Sequence, residues 1–179
     1  GPMEGGIINF SAVAVVLIVA FILYQGASLS KKIEDIMVIL KVAIIILFIV
    51  VGLVYIKAEN YVPFYPKEFH TAPAGFGGIS TAAATVFFAF IGFDALAANS
   101  AETANPGKNV VKGILGTVLI AVTLYVSFSL VLTGMVNYKL LNVDDPSAYA
   151  LKVVGLNSWN KLITLGALIG IFTAMITML

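Results

Sequence analysis

Five stretches of this chain run for eighteen residues or more with at most one charge apiece. Gly5–Ser30, Gly113–Tyr138 and Leu162–Leu179 carry none. Ile36–Ile56 carries Lys41 alone, and Thr71–Ala101 carries Asp94 alone. About 20 apolar residues span a bilayer as a helix. A spanning segment must also satisfy its own backbone hydrogen bonds, which a helix does. The runs therefore predict an all-α membrane protein with about five transmembrane helices, near 7–28, 36–56, 78–101, 111–136 and 161–179. Composition agrees: 60% of the residues are hydrophobic and 11% charged, against about 25% charged in a soluble domain. The lipid bilayer is the first partner this implies.

The connections differ in character. Ser30–Asp35 and Glu102–Lys112 are short loops with two lysines each. The stretches 57–77 and 137–160 are longer and mix lysines with acids, aromatics and prolines. Short lysine-bearing loops read as cytoplasmic, which puts the N-terminus outside, the C-terminus inside and both long loops outside. Tyr55, Tyr61, Phe64, Tyr65, Phe69 and Trp159 then fall at the outer edge, where aromatic side chains gather. Asp145-Pro146-Ser147 reads as a helix start, with Asp145 as cap and Pro146 at the first position. It predicts a short helix on the outer surface. His70, the only histidine, reads as a surface loop residue.

Several chemistries are excluded. There is no cysteine, hence no disulfide framework and no thiolate nucleophile or metal site. The net charge of +1 gives no reason to expect nucleic acid. No nucleophile–base–orienter set, metal-ligand cluster or phosphate-binding glycine loop occurs. The chain is expected to have no catalytic residues, no metal, no cofactor and no enzymatic activity. Nothing resembles a cleaved signal peptide. Gly1-Pro2 ahead of Met3 resembles a tag remnant, so residues 1–3 are set aside and 4–179 are expected to form a single transmembrane domain. The last span stops in apolar sequence, as in a fragment of a longer protein.

The segment Ile79–Pro106, ISTAAATVFFAFIGFDALAANSAETANP, holds the one acid within a span. An ionisable group deep in lipid is costly and marks a functional candidate. Gly92, two residues earlier, weakens the helix at the same point. Interrupted helices at membrane depth are tolerated where they line a cavity, and such interruptions build transporter sites. The expected interruption lies around Ile91–Phe93. Asp94 has two readings: a contact for substrate or a coupling proton in a gate, or a cap of the second half-helix bonded to the amides of Leu96 or Ala97.

FFAFIGFDALAANSAETANP resembles the sixth transmembrane helix of the amino acid–polyamine–organocation (APC) superfamily, and in particular bacterial relatives of the cationic amino-acid transporters. IEDIMVILKVAIIILFIVVGLVYIK resembles the fifth helix, and SLVLTGMVNYKLLNVDDPSAYAL the seventh and the loop after it. The resemblance covers nearly the whole chain from Gly5 onward. It implies a five-plus-five inverted-repeat fold with one discontinuous helix, of which this chain holds about helices four to eight. It also implies a bacterial cytoplasmic membrane. One departure stands out: where relatives read AAEEVKNP, this chain reads NSAETANP, so Ala101 and Ala104 replace a carboxylate and a lysine while Glu102 is kept.

The resemblance assigns roles. It places contacts with a substrate ammonium on the backbones of Phe88, Ala89 and Ile91, beside Gly92, where carbonyls leave the helical ladder. The residues alone read equally as lipid-facing or core packing. Lys41 lies roughly 9 Å inside its span, at 1.5 Å per residue. By itself it reads as a lysine whose ammonium snorkels to the interface. The resemblance makes it the proton-coupling residue, since a buried lysine can release its proton when its surroundings rearrange. Thr173 either faces that lysine or bonds the carbonyl four residues back in its own helix. Gly166 and Gly170 have the spacing for close helix packing.

The expected function is proton-coupled transport of amino acids, with amino-acid substrate and protons as partners. The fragment alone is not expected to transport, because the partner repeat is missing. Its uncovered polar groups favour a homo-oligomer or a local rearrangement of the interrupted helix. The alternative is a small non-transporting membrane scaffold, which the length of the reading frame would distinguish.

Overall fold

The computed structural model describes residues 10–24, 27–64, 75–90, 92, 103 and 105–178. Every regular element among them is helical. The order is α1 (Phe10–Tyr24), α2 (Ala27–Leu53), a 3₁₀ turn (Ala58–Tyr61), and α3 (Gly75–Phe87) running into a second 3₁₀ turn (Phe88–Phe90). Then come α4 (Pro106–Met135), a third turn (Tyr138–Leu140), α5 (Pro146–Val153) and α6 (Asn157–Met178). Lys31–Leu53 of α2, the whole of α4 and Asn157–Ile176 of α6 are long and apolar enough to cross a membrane. Shorter apolar helices cover Val13–Ile22 and Gly75–Phe90. Of those two expected spans, 7–9, 25–26, 91 and 93–101 lie outside the described residues, and 27–28 belong to α2.

One expectation is corrected. Ser30–Asp35, expected as a loop, lies inside α2. Its lysines and glutamate are good helix formers, and no Gly or Pro interrupts them. Polarity along a chain does not by itself end a helix. Similarly, α4 starts inside the expected loop 102–112. Pro106 occupies its first turn, where a missing N–H costs nothing. Asn105 precedes it at φ 49°, a conformation Asn tolerates better than most residues. Its carbonyl accepts the amides of Lys108 and Asn109 at 3.1 and 3.0 Å.

The chain forms two compact units, with the boundary inside α2 between Val50 and Val51. The first comprises the chain up to Val50 together with Asp144–Leu179. Its buried side chains include Val19, Phe48, Leu151, Ile163, Thr173 and Ile176. Helix α6 packs on α1 and on α5. It also meets α2 at Gly166, where an added Cβ would lie 2.6 Å from Ile44 Cγ2. The Gly166–Gly170 spacing suits close packing; among the described residues Gly166 is at such a contact, and none lies within 4 Å of a Cβ on Gly170.

Helix α5 is the short helix expected after the Asp145 cap. The Asp145 carboxylate accepts the Ala148 amide at 3.0 Å and the Ser147 hydroxyl at 2.7 Å. Its other oxygen accepts the Thr164 hydroxyl at 3.0 Å, which ties the cap to α6. The far end closes by a Schellman arrangement. The Leu156 amide donates to the Leu151 carbonyl and the Gly155 amide to that of Lys152. Gly155 stands at φ 85°, which a side chain would resist.

The second unit, Val51–Val143, centres on the C-terminal end of α4, where Val131, Gly134, Met135 and Val136 are buried. Gly52 packs against Val131 and Met135; a Cβ there would lie 2.7 Å from the Met135 sulfur. Gly134 lies against Tyr61 and Ile56 in the same way. The last carbonyls of a helix lack intrahelical donors, and the chain after α2 supplies that of Gly134. The Gly134 carbonyl accepts the Lys57 amide at 3.0 Å and Asn60 Nδ2 at 2.7 Å. The Tyr61 hydroxyl donates to the Leu130 carbonyl at 2.7 Å.

Candidate functional site

The site is built from the end of α3. Its sequence, GFGGISTAAATVF, combines small residues with two threonines. Thr81 and Thr85 turn their hydroxyls back on the carbonyls of Gly77 and Thr81, each at 3.0 Å, so they satisfy themselves within the helix. Regular α-helix stops at Phe87. Phe88–Phe90 form a tighter 3₁₀ turn, and Gly92 follows at φ 113°. Among the described residues nothing lies within 4 Å of a Cβ built on Gly92, and its positive φ favours glycine there. The departure from α-helical form begins at Phe88, about a turn before the Ile91–Phe93 region in which an interruption was expected. Among the residues assigned to substrate contact, Phe88, Ala89 and Gly92 are described. Ile91 lies outside the described residues, as does Asp94.

Phe88 and Ala89 are exposed, and Phe90 and Gly92 are partly so. Phe88 stands edge-on to Phe87, with ring centroids 6.2 Å apart. Phe90 stands edge-on to Tyr125 of α4, at 5.4 Å and 68°. The Tyr125 hydroxyl donates to the Ala89 carbonyl at 3.2 Å. An open groove of about 530 Å³ runs along this contact, lined by Val86, Ala89, Phe90, Val122, Tyr125 and Ser129 among others. It is mostly apolar, with a few polar atoms where the 3₁₀ turn and α4 converge. Small-molecule sites have this character and a volume of roughly 300–1,000 Å³.

Sequence reasoning missed Tyr125 and Ser129. Both sit in a span without charge, Gly113–Tyr138, and their spacing of four residues places them on one helical face. A hydroxyl-bearing aromatic in mid-span was the signal. Its partner, 36 residues earlier in the chain, could not be seen from spacing.

Lys41 and Thr173 both belong to the first unit. Lys41 is half-buried in α2, three residues before Ile44, the residue that Gly166 approaches. Thr173 lies seven residues after Gly166 in α6 and is 2% exposed. Three and seven residues are one and two helical turns, so each stays close to the contacting face. The Thr173 hydroxyl donates to the Ile169 carbonyl at 2.8 Å, the own-helix bond that was one of its two readings. Among the described residues no three of His, Cys, Asp and Glu gather into a site that could hold a metal ion.

The carboxyl of the Asp145 cap has a shifted affinity for protons. Partial burial raises it. The Ala148 amide, the Ser147 and Thr164 hydroxyls and the Ser147 amide outweigh burial and hold the carboxyl below its ordinary value. These bonds favour the charged form.

An amino acid permease family model matches residues 4–179. A methylthioribose transporter of Bacillus subtilis is 42% identical over the whole chain, which covers 37% of that protein. A branched-chain amino acid permease of the same organism is 41% identical over 96% of the chain and 36% of its own length. Cationic amino acid transporter 9 of Arabidopsis thaliana is 35% identical over 96% of the chain and 29% of its own length. The chain thus spans about a third of the curated relatives it matches.

Proposed function

Because the chain belongs to the amino acid permease family and is an integral membrane protein, we propose that it carries half of the substrate site, and the coupling residue, of a proton-driven amino acid transporter. The observation that carries this reading is the interrupted end of α3. Ala89 lines an apolar groove in the turn where α-helix gives way to 3₁₀ and then to Gly92. Carbonyls freed near an interruption are acceptors for an ammonium. The backbones of Phe88, Ala89 and Ile91, beside Gly92, hold the substrate's ammonium, and Asp94 caps or gates the segment. Backbone carbonyls recognise any amino acid, so side-chain selectivity rests on the groove and on further helices. Leucine is the natural first probe, given a relative named as a branched-chain amino acid permease.

Lys41 is the coupling residue in this reading, with Thr173 on the helix facing it. The close approach of Gly166 to Ile44 supports this, because it brings α6 against α2 one turn from Lys41. An ammonium there would exchange its proton as the two helices shift. The test is uptake of labelled leucine into proteoliposomes by the complete reading frame that contains this chain, with and without an imposed pH gradient. Lys41→Ala is expected to abolish gradient-driven accumulation while leaving exchange of leucine across the membrane. Normal accumulation by that variant would remove Lys41 from the coupling role. The 179 residues alone, similarly reconstituted, are expected to show no leucine uptake, because no second repeat is present to rock against the first.

A further inference from the structure

We propose that Tyr125 is a positioning residue for the substrate site, holding the Ala89 carbonyl in the orientation that receives an ammonium. The inference rests on the reading of Ala89 as a substrate contact. One side chain meets two consecutive residues of the 3₁₀ turn. The Tyr125 hydroxyl donates to the Ala89 carbonyl at 3.2 Å, and its ring takes the Phe90 ring edge-on at 5.4 Å. The ring contact limits where the hydroxyl can go, and the hydroxyl limits where the carbonyl can point.

The chemistry suits a shared acceptor. A carbonyl oxygen has two lone pairs, and a tyrosine hydroxyl supplies one proton. Occupying one lone pair leaves the other open to a cationic donor from the groove. A turn with no such tether would be free to re-form helix, which draws its carbonyls back along the axis. Tyr125 is also placed to feel the substrate, since it lines the same groove as Ala89 and Ser129. Elsewhere on α4 the hydroxyls of Thr123 and Thr133 bond carbonyls of their own helix, at 2.8 and 2.7 Å. The Tyr125 hydroxyl instead reaches another segment.

Tyr125→Phe keeps the ring and removes the hydroxyl. In proteoliposomes of the complete reading frame, it is expected to raise the KM for leucine about three- to tenfold, the worth of one ordinary hydrogen bond. The maximal rate and the unfolding temperature should stay near wild type. Tyr125→Leu, which loses both contacts, should raise KM further. Thr123→Val, which removes a self-bonded hydroxyl from the same helix, should leave KM unchanged. A Tyr125→Phe protein with wild-type KM overturns the proposal. So does one whose KM rises while its maximal rate and stability fall, because that marks a packing residue. Amide hydrogen exchange over 86–92, read by mass spectrometry without substrate, supplies the second arm. Exchange should quicken by a similar factor in Tyr125→Phe, and unchanged exchange overturns the proposal. If the wild-type protein takes up no amino acid, the transport reading fails by itself. The tether at Ala89 is then decided by exchange alone.

Discussion

Two helix ends in the same unit are finished in opposite ways. The C-terminal end of α4 is closed. Its Gly134 carbonyl takes two donors, Tyr61 bonds the Leu130 carbonyl, and Val131, Gly134, Met135 and Val136 are buried. The end of α3 is open. Its residues from Phe87 to Ala89 are exposed, and among the described residues one hydrogen bond reaches it from α4, at 3.2 Å. A buried carbonyl without a partner is costly, so the first end is satisfied twice over. The second keeps acceptor capacity beside a groove. A helix end whose donors are all internal is a joint. One that leaves capacity facing a cavity is, in the proposed reading, a binding device.

The largest effect expected from this contrast is at the closed end. Gly134→Ala puts a methyl group against Tyr61 and Ile56, and overpacking of this kind costs about 1–3 kcal/mol. Unfolding followed by circular dichroism in detergent should show that loss, with leucine KM unchanged in the surviving protein. A rise in KM to match would break the distinction between joint and binding device.

Gly92→Ala probes the open end. Positive φ costs an L-residue about 1–2 kcal/mol, and none of the described residues crowds the new methyl. The expected stability loss is smaller than at Gly134, while leucine uptake should fall more. Equal uptake by the Gly92→Ala and wild-type proteins would show that the conformation at Gly92 is incidental to transport.

The smallest effect belongs to a third helix end, the Asp145 cap. Its carboxyl is held below the ordinary value in the folded protein. A group whose folded affinity for protons is depressed stabilises fully above its unfolded pKa, and that contribution is lost as pH falls through the folded one. Stability should therefore decline on acidification below the usual carboxylate range. Asp145→Asn should flatten that part of the profile and lower the plateau above it by less than Gly134→Ala does. An unchanged acid limb in Asp145→Asn would mean that Asp145 contributes nothing to the pH dependence.

What could be read along the chain was whatever neighbouring residues decide among themselves. The helices were legible because apolar length sets whether a segment crosses lipid. The cap of α5 was legible because Asp145, Pro146 and Ala148 lie within one turn. That regular helix would not run through Gly92 was legible from a glycine beside an acid; α-helix already gives way at Phe88. The start of α2 was misjudged, because the charges of SKKIED report on solvent and not on backbone propensity. Tertiary structure alone decided which distant groups complete each end. Tyr61 reaches Leu130 across 69 residues, Asn60 reaches Gly134 across 74, and Tyr125 reaches Ala89 across 36. A hydroxyl or amide has no preferred partner until packing brings one within about 3 Å, and packing is a property of the assembled helices. The order of residues made α3 able to end at Phe88. Only the approach of α4 determined that the Ala89 carbonyl would be held, and by which side chain.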